Sequence, residues 1–150
     1  MTIPQLPCSG RMYDLAKLFV GSWKEYTVSD EGEILGGSLQ SGLELDGCVF
    51  SQRFTSADGS FSFMSFGYVE PDTGQWYETY VFNNGRAASY RWREERDDII
   101  TDRVGGNPKD LRRLRITFVS KDVYNVKEER SLDGGNTWEL VELSRTRRDT

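Results

Sequence analysis

The segment that decides the fold is "GRMYDLAKLFVGSW", residues 10–23, in which an apolar-periodic stretch runs into a Gly-x-Trp triplet. Four apolar side chains recur on one face at helical spacing: Met12, Leu15, Leu18 and Phe19. Gly21 is a typical stop signal for a helix. The segment therefore predicts one short α-helix over residues 10–20, and a strand that begins near Trp23.

Turn signals divide the rest of the chain into pieces of strand length, as in "SDEGE", "SADGS", "EPDTGQ" and "FNNGR". The predicted strands are at roughly 22–30, 34–45, 48–57, 61–70, 75–83, 86–96, 98–104, 111–120, 123–132 and 137–147. Successive hairpins of this length indicate an antiparallel up-and-down meander. A long twisted meander closes rather than exposing two edges.

The expected architecture is therefore an all-β barrel of about 8–10 strands with one N-terminal helix. The length of 150 residues is typical of one domain with one core. We expect residues 1–9 to form an irregular lead-in, residues 10–20 the helix and residues 21–148 the barrel. An aromatic content of 13% beside 37% hydrophobic residues also favours a β-rich fold.

Composition excludes several kinds of function. The net charge of −5 argues against a nucleic-acid partner, which needs a positive field. The chain has no histidine, which removes histidine-ligated haem, nearly all catalytic zinc sites and histidine-dependent hydrolases. We predict no cofactor and no metal. Acid–base chemistry, if present, depends on Asp, Glu, Tyr, Lys or Cys.

The two cysteines, Cys8 and Cys48, allow one bridge but do not define a disulfide scaffold. The N-terminal residues show no secretion signal, and no stretch reaches the roughly 20 apolar residues of a membrane span. The expectation is a soluble cytoplasmic protein with free thiols and no membrane partner.

One short motif resembles the Asp-box of sialidase-type propellers: "SLDGGNTW", residues 131–138. A propeller repeats such units in blades of about 40 to 50 residues, and this chain is too short and lacks the repeat. The motif therefore predicts a hairpin turn in which Asp133 accepts backbone hydrogen bonds. Gly134 and Gly135 supply positive φ angles, and Trp138 packs beneath the loop.

Alternation along the strands predicts which side chains point inward. The sets that share an inward face are Leu39, Leu43 and Leu45; Phe50, Gln52 and Phe54; Ala88, Tyr90 and Trp92; and Leu114, Ile116 and Phe118. The strand at 75–83 has Trp76, Glu78, Tyr80 and Phe82 on one face, but its orientation stays open. The strand at 61–70 is apolar on both faces, which predicts an outer cover by the helix or by a second copy in a homodimer.

Polar residues at inward positions are candidate site residues, because burying them without partners costs a few kcal/mol each. Glu25, Gln52 and Glu78 are of this kind. One explanation is a partnership with an inward Arg53 or Arg91, or exposure at an open rim. The other is that one of the three orients a polar group of a ligand, or acts as a general base with a raised pKa.

A helix that leads into Gly21-Ser22-Trp23, followed only by hairpins, resembles the calycin superfamily. The resemblance implies that Trp23 plugs one end of the barrel. It also implies that an arginine late in the last strand, Arg145 or Arg147, packs across the indole ring.

Within that superfamily the chain is similar to the small bacterial lipocalin-like barrels of the DUF1579 type. Three motifs in matching order carry this likeness: Leu18 to Trp23, Gly67-Tyr68 to Trp76, and Ser131 to Trp138 before an arginine-rich strand.

Three functions are compatible with these observations. The leading prediction is a non-catalytic binding protein for a small apolar or aromatic ligand. Its predicted ligand-binding residues are Glu25, Gln52, Phe63, Glu78, Tyr80, Tyr90, Trp92 and Phe118. The first alternative is a cyclase- or isomerase-type enzyme that transfers a proton through Glu78, Tyr80 or Tyr90. The second is a structural or partner-binding subunit whose barrel is filled by its own side chains.

Overall fold

Ten antiparallel strands, each hydrogen-bonded to its neighbours in sequence, close into one barrel in the computed structural model, which describes residues 8–149. The helix α1 spans Arg11–Lys17, and β1 (Gly21–Ser29) pairs with β10 (Glu139–Arg148) to complete the ring. The strands between them are β2 Gly32–Glu44, β3 Val49–Ser56, β4 Ser62–Val69, β5 Trp76–Phe82, β6 Ala87–Glu95, β7 Asp98–Arg103, β8 Leu111–Ser120 and β9 Val123–Ser131.

This architecture confirms the predicted all-β barrel with a short N-terminal helix. It is also the fold that the calycin resemblance implied. The first seven residues of the predicted lead-in lie outside the described residues. No helix within residues 8–149 has the length and apolar character needed to span a membrane.

The helix α1 is shorter than predicted, because the chain tightens after Lys17. The amide N–H groups of Leu18, Phe19 and Val20 donate to carbonyl oxygens three residues earlier, at 3.1–3.3 Å. This tighter turn rotates Leu18 outward, where 45% of it is exposed, so its predicted place on the packed face is wrong. Phe19 instead points into the barrel.

Trp23 seals the end of the barrel against which α1 packs, and we call this the closed end. Its indole is almost fully buried and donates its N–H to the carbonyl oxygen of Phe19 at 2.7 Å. The guanidinium carbon of Arg148 lies 4.1 Å from the ring centroid. Arg148 also donates to the Val20 carbonyl at 2.8 Å and to the Asp122 carboxylate at 2.9 Å. The plug is therefore tied to the turn that follows α1, to the β8–β9 turn and to the last strand.

The arginine over the plug is not one of the two predicted. Arg145 and Arg147 both donate to Glu33 on the outside of the barrel, at 2.7 and 2.9 Å. Alternation along β10 explains the error: Ser144 and Thr146 are buried inward, so Arg148 shares their face.

The Gly-x-Trp triplet requires a glycine at position 21 for two reasons. The φ of Gly21, 134°, lies in a region that side chains disfavour. A Cβ at this position would also collide with Nη1 of Arg148. The glycine therefore leaves room for the guanidinium that covers Trp23.

Most predicted inward faces are confirmed. Phe50, Gln52 and Phe54 on β3 and Trp92 on β6 are buried, and β5 directs Trp76 and Glu78 inward. Leu45 is an exception, because β2 ends at Glu44 and Leu45 begins an exposed turn with a φ of 51°.

The helix does not cover the outer face of β4, although one of the two alternatives predicted that it would. Phe66 and Tyr68 point outward and are 40% and 43% exposed. The helix α1 instead packs its apolar side chains into the closed end of the barrel.

Cys8 and Cys48 form a disulfide, so the expectation of free thiols is wrong. The bond joins the segment before α1 to the turn between β2 and β3. Beside it, the Tyr13 hydroxyl donates to the Cys48 carbonyl oxygen at 3.1 Å. Both contacts hold α1 against the closed end.

The motif at 131–138 forms the β9–β10 turn, as predicted. The Asp133 carboxylate accepts from the Thr137 N–H and the Ser131 hydroxyl, each at 2.8 Å. These hydrogen bonds lower the pKa of Asp133 to about 2, those from Thr137 contributing most. The Trp138 indole donates to the Gly135 carbonyl oxygen, and Arg113 stacks 3.7 Å over its ring.

Candidate functional site

The barrel interior holds a cavity of about 290 Å³ between the closed end and the opposite end. Phe19, at the end of the helical segment, lies at its inner limit. Phe61 and Phe82, beside the hairpin turns of the opposite end, lie at its outer limit. Phe61 is 39% exposed, so the cavity reaches solvent there, and we call this the open end.

One side of the cavity is built from aromatic rings on β4, β5 and β6. We call Phe63, Tyr80, Tyr90 and Trp92 the aromatic wall. The rings of Phe63 and Tyr80 meet edge to face at 5.2 Å, and those of Tyr80 and Tyr90 at 5.4 Å. Such contacts hold each ring against its neighbour and present a firm apolar surface.

The opposite side carries carboxylates. We call Glu25 on β1, Glu128 on β9 and Glu142 on β10 the acidic wall. These strands lie across the ring from β4–β6 in the barrel order. Arg112 donates to Glu128 at 3.3 Å. Within residues 8–149, neither Glu25 nor Glu142 has a cationic side chain within ion-pair distance.

Burial raises the pKa of Glu25 to about 7, and the negative charge of Glu142 adds to the effect. Glu25 therefore exchanges its proton near neutral pH inside a partly enclosed cavity.

Glu25 and Glu142 each lie at an irregularity of the sheet. The register between β1 and β2 shifts between Glu25 and Tyr26, and that between β10 and β9 shifts between Leu140 and Glu142. Bulges of this kind re-aim side chains and recur beside binding sites.

Glu78 lies behind the aromatic wall and does not line the cavity. It is fully buried and accepts hydrogen bonds from Ser65 at 2.7 Å, Trp92 at 3.0 Å and Tyr80 at 3.1 Å. Burial raises its pKa, and the three hydrogen bonds only partly oppose this. Its position ties Tyr80 and Trp92 in place, so it orients the wall rather than facing a ligand.

Gln52 is a polar group that does line the cavity, although only 8% of it is exposed. Its amide nitrogen donates to the Ser41 hydroxyl at 3.3 Å, and its oxygen lies 3.4 Å from the Ser65 hydroxyl. An amide nitrogen has two N–H groups. In the described part of the chain only one of them has a hydrogen-bond partner.

The structure brings together six of the eight predicted ligand-binding residues on the cavity wall: Glu25, Gln52, Phe63, Tyr80, Tyr90 and Trp92. Glu78 does not face the cavity, and Phe118 packs instead against Phe19 and Tyr124, each at 5.1 Å. The predicted inward arginines are wrong: Arg53 and Arg91 are both exposed.

Several lining residues were not among the candidates. They are Phe19, Leu39, Phe61, Phe82, Leu114, Ile116, Tyr124, Val126, Glu128, Glu142, Ser144 and Thr146. Alternation from Tyr124 and Arg148 would have pointed to most of those on β9 and β10.

A scan against protein-family models and a search of curated proteins found no match to this chain. The geometry of the cavity therefore carries the functional argument. Among the described residues, no group of three or more Asp, Glu or Cys side chains is placed to hold a metal ion.

Proposed function

We propose that this protein binds a small apolar or aromatic molecule inside its barrel, in the manner of lipocalins. The observation that carries the proposal is the cavity of about 290 Å³, one side of which is a wall of interlocked aromatic rings. Binding cavities are mostly apolar, with a few placed polar groups, and their volumes begin at about 300 Å³. This cavity is an argument against the structural-subunit alternative, which requires a barrel filled by its own side chains.

The enzyme alternative has less support from the same geometry. Glu78 has its oxygens occupied by three donors and lies behind the wall, while burial keeps the pKa of Tyr80 well above its ordinary value. A proton-transfer group must reach the substrate. Tyr80 and Tyr90 face the cavity, but neither has a base beside it on the cavity side among the contacts of residues 8–149.

Three further proposals depend on features outside the cavity. The order of the motifs supports membership of the DUF1579 type within the calycins. The exposed Phe66 and Tyr68 support a homodimer through β4, which sedimentation velocity can test. A cytoplasmic location stays a prediction from the sequence, and the Cys8–Cys48 disulfide favours an oxidising compartment instead.

Calorimetric titration with naphthylmethanol, a neutral aromatic probe, tests the binding proposal. We expect saturable binding of one probe per chain, and quenching of Trp92, which lines the cavity. Ser144→Phe places a ring inside the cavity and should abolish binding. Thr55→Phe adds the same ring to the exposed outer face of β3 and should leave binding unchanged. Equal loss in both variants, or no binding to the wild-type protein, would overturn the proposal.

A further inference from the structure

We infer that the ligand is a small aromatic cation, whose ammonium group lies against Glu25 and Glu142 and whose ring lies on the aromatic wall. This builds on the proposed function and adds to it the sign of the ligand's charge.

The charges that face the cavity are all negative. Of the three acidic side chains on its wall, Glu128 is the one with a cationic partner, Arg112 at 3.3 Å. Glu142 has a neutral neighbour, the Thr27 hydroxyl at 3.4 Å. Glu25 makes no side-chain hydrogen bond and no ion pair within residues 8–149. Two carboxylates, that of the half-buried Glu25 and that of the exposed Glu142 at the rim, thus line the cavity without a cationic partner among the described residues.

An unpaired carboxylate in a partly apolar cavity is costly, and a neutral or anionic ligand would increase that cost by displacing water. A cationic ligand removes the cost, because its ammonium group replaces both the lost water and the missing counter-ion. The net charge of −5 also attracts cations to the protein as a whole.

The opposite wall points to a ligand independently of the carboxylates. The faces and edges of Phe63, Tyr80, Tyr90 and Trp92 offer stacking and cation–π contacts in one enclosed space. On the same surface, Gln52 is more than nine-tenths buried and keeps one amide N–H without a protein partner among the described residues. A buried donor of this kind pairs with ordered water or with an acceptor on another part of a ligand.

Three probes of similar shape separate charge from shape: naphthylmethylamine, which is an ammonium ion at pH 8, neutral naphthylmethanol and anionic naphthoate. In calorimetric titrations of the wild-type protein we expect the amine to bind about tenfold more tightly than the alcohol, and the naphthoate most weakly. If the alcohol binds as tightly as the amine, the charge assignment is wrong and the proposed function stands. If none of the three binds, both are wrong.

Variants locate the charge. Glu25→Gln and Glu142→Gln should each weaken binding of the amine by roughly three- to tenfold and leave the alcohol unchanged. Glu31→Gln, an exposed position in the β1–β2 turn, is the matched control for net charge and should change neither. Equal losses in all three variants would show a general field rather than a site.

The pH dependence gives a further readout. The titratable groups that face Glu25 are Glu142 on β10 and Tyr124 on β9, while β2 presents Gly36 and Gly37 there. The pKa of Glu25 is raised to about 7, so its carboxylate is lost as the pH falls through that value. Binding of the amine should weaken below pH 7, and binding of the alcohol should not. A flat profile for the amine would contradict the assignment.

Discussion

The two ends of the barrel interior differ in whether their polar side chains have protein partners. At the closed end, the Trp23 indole and the Arg148 guanidinium have protein partners at 2.7–3.0 Å. Toward the open end, neither Glu25 nor Glu142 has a cationic partner in the described part of the chain, and a cavity remains between the side chains.

This difference separates structural from binding residues. Close packing with satisfied hydrogen bonds, as around Trp23 and Arg148, stabilises the fold. Unpaired carboxylates beside a cavity destabilise it, and proteins retain such features where a ligand needs them. Substitutions at the closed end should therefore lower stability, and a substitution on the acidic wall should raise it.

The largest loss is expected for Trp23→Ala, which empties the plug. Deleting a buried tryptophan typically costs about 3–5 kcal/mol in the free energy of unfolding, measured by urea denaturation. Trp138→Ala, in the β9–β10 turn, is the control and should cost less than half of this. If Trp23→Ala does not fold, Trp23→Phe can be measured instead. It keeps an aromatic ring, loses the hydrogen bond from the indole N–H to Phe19 and should cost about 1 kcal/mol. Equal costs at the two tryptophans would break the comparison.

The disulfide that holds α1 at the closed end gives the next effect. Replacing both cysteines, Cys8→Ser with Cys48→Ser, should lower the free energy of unfolding by about 2–4 kcal/mol, because the bond closes a long loop in the unfolded chain. Thermal denaturation of oxidised, reduced and double-serine protein measures it. Affinity for naphthylmethanol should stay the same, since the bond lies away from the cavity. A loss of affinity as large as the loss of stability would place the ligand at the helix instead.

Arg148→Met tests whether the arginine over Trp23 is structural. The variant keeps an apolar side chain but removes the cation and its hydrogen bonds, and should cost about 2–3 kcal/mol. Arg147→Met, one residue earlier and on the outer face, removes only an exposed pair with Glu33 and should cost under about 1 kcal/mol. The reverse order in urea denaturation would mean that the face assignment of β10 is wrong.

The smallest effect has the opposite sign. Burial raises the pKa of Glu25 from 4.5 to about 7, so the folded protein holds this proton more tightly than the unfolded chain. The resulting stability is fully present below pH 4.5 and is lost as the pH rises through 7. Glu25→Gln should therefore be more stable than wild type by roughly 1–2 kcal/mol at pH 8, and equal to it at pH 4.5. Urea denaturation at both values checks this, and a destabilised variant at pH 8 would show that Glu25 is structural.

Much of the fold follows from local patterns. Turn signals separate the strands, and period-two alternation places Phe50, Gln52 and Trp92 inside. The calycin resemblance identified Trp23 as the plug of the closed end, and its indole donates to Phe19, four residues earlier in the chain. Alternation also predicted most of the aromatic wall, because aromatic residues recur at alternate positions on one face of β5 and of β6.

The acidic wall was harder to predict for a physical reason. β10 has apolar and charged residues on both faces, so alternation alone gives no orientation and does not separate Arg148 from Arg145 and Arg147. Glu142 lies at a register shift, which no propensity locates. The pairing of Cys8 with Cys48 likewise requires the turn after β2 to reach the segment before α1, a contact between parts 40 residues apart.

The most direct test uses the four tryptophans, whose indole N–H groups give separate NMR signals. Naphthylmethanol is titrated into the labelled protein, with signals assigned from single Trp→Phe variants. We predict a saturable shift of the Trp92 signal, because its ring lines the cavity and its N–H is bound to Glu78. The signals of Trp23 in the plug and Trp138 in the turn should stay in place. A shift of Trp23 or Trp138 with Trp92 unmoved would contradict a cavity ligand.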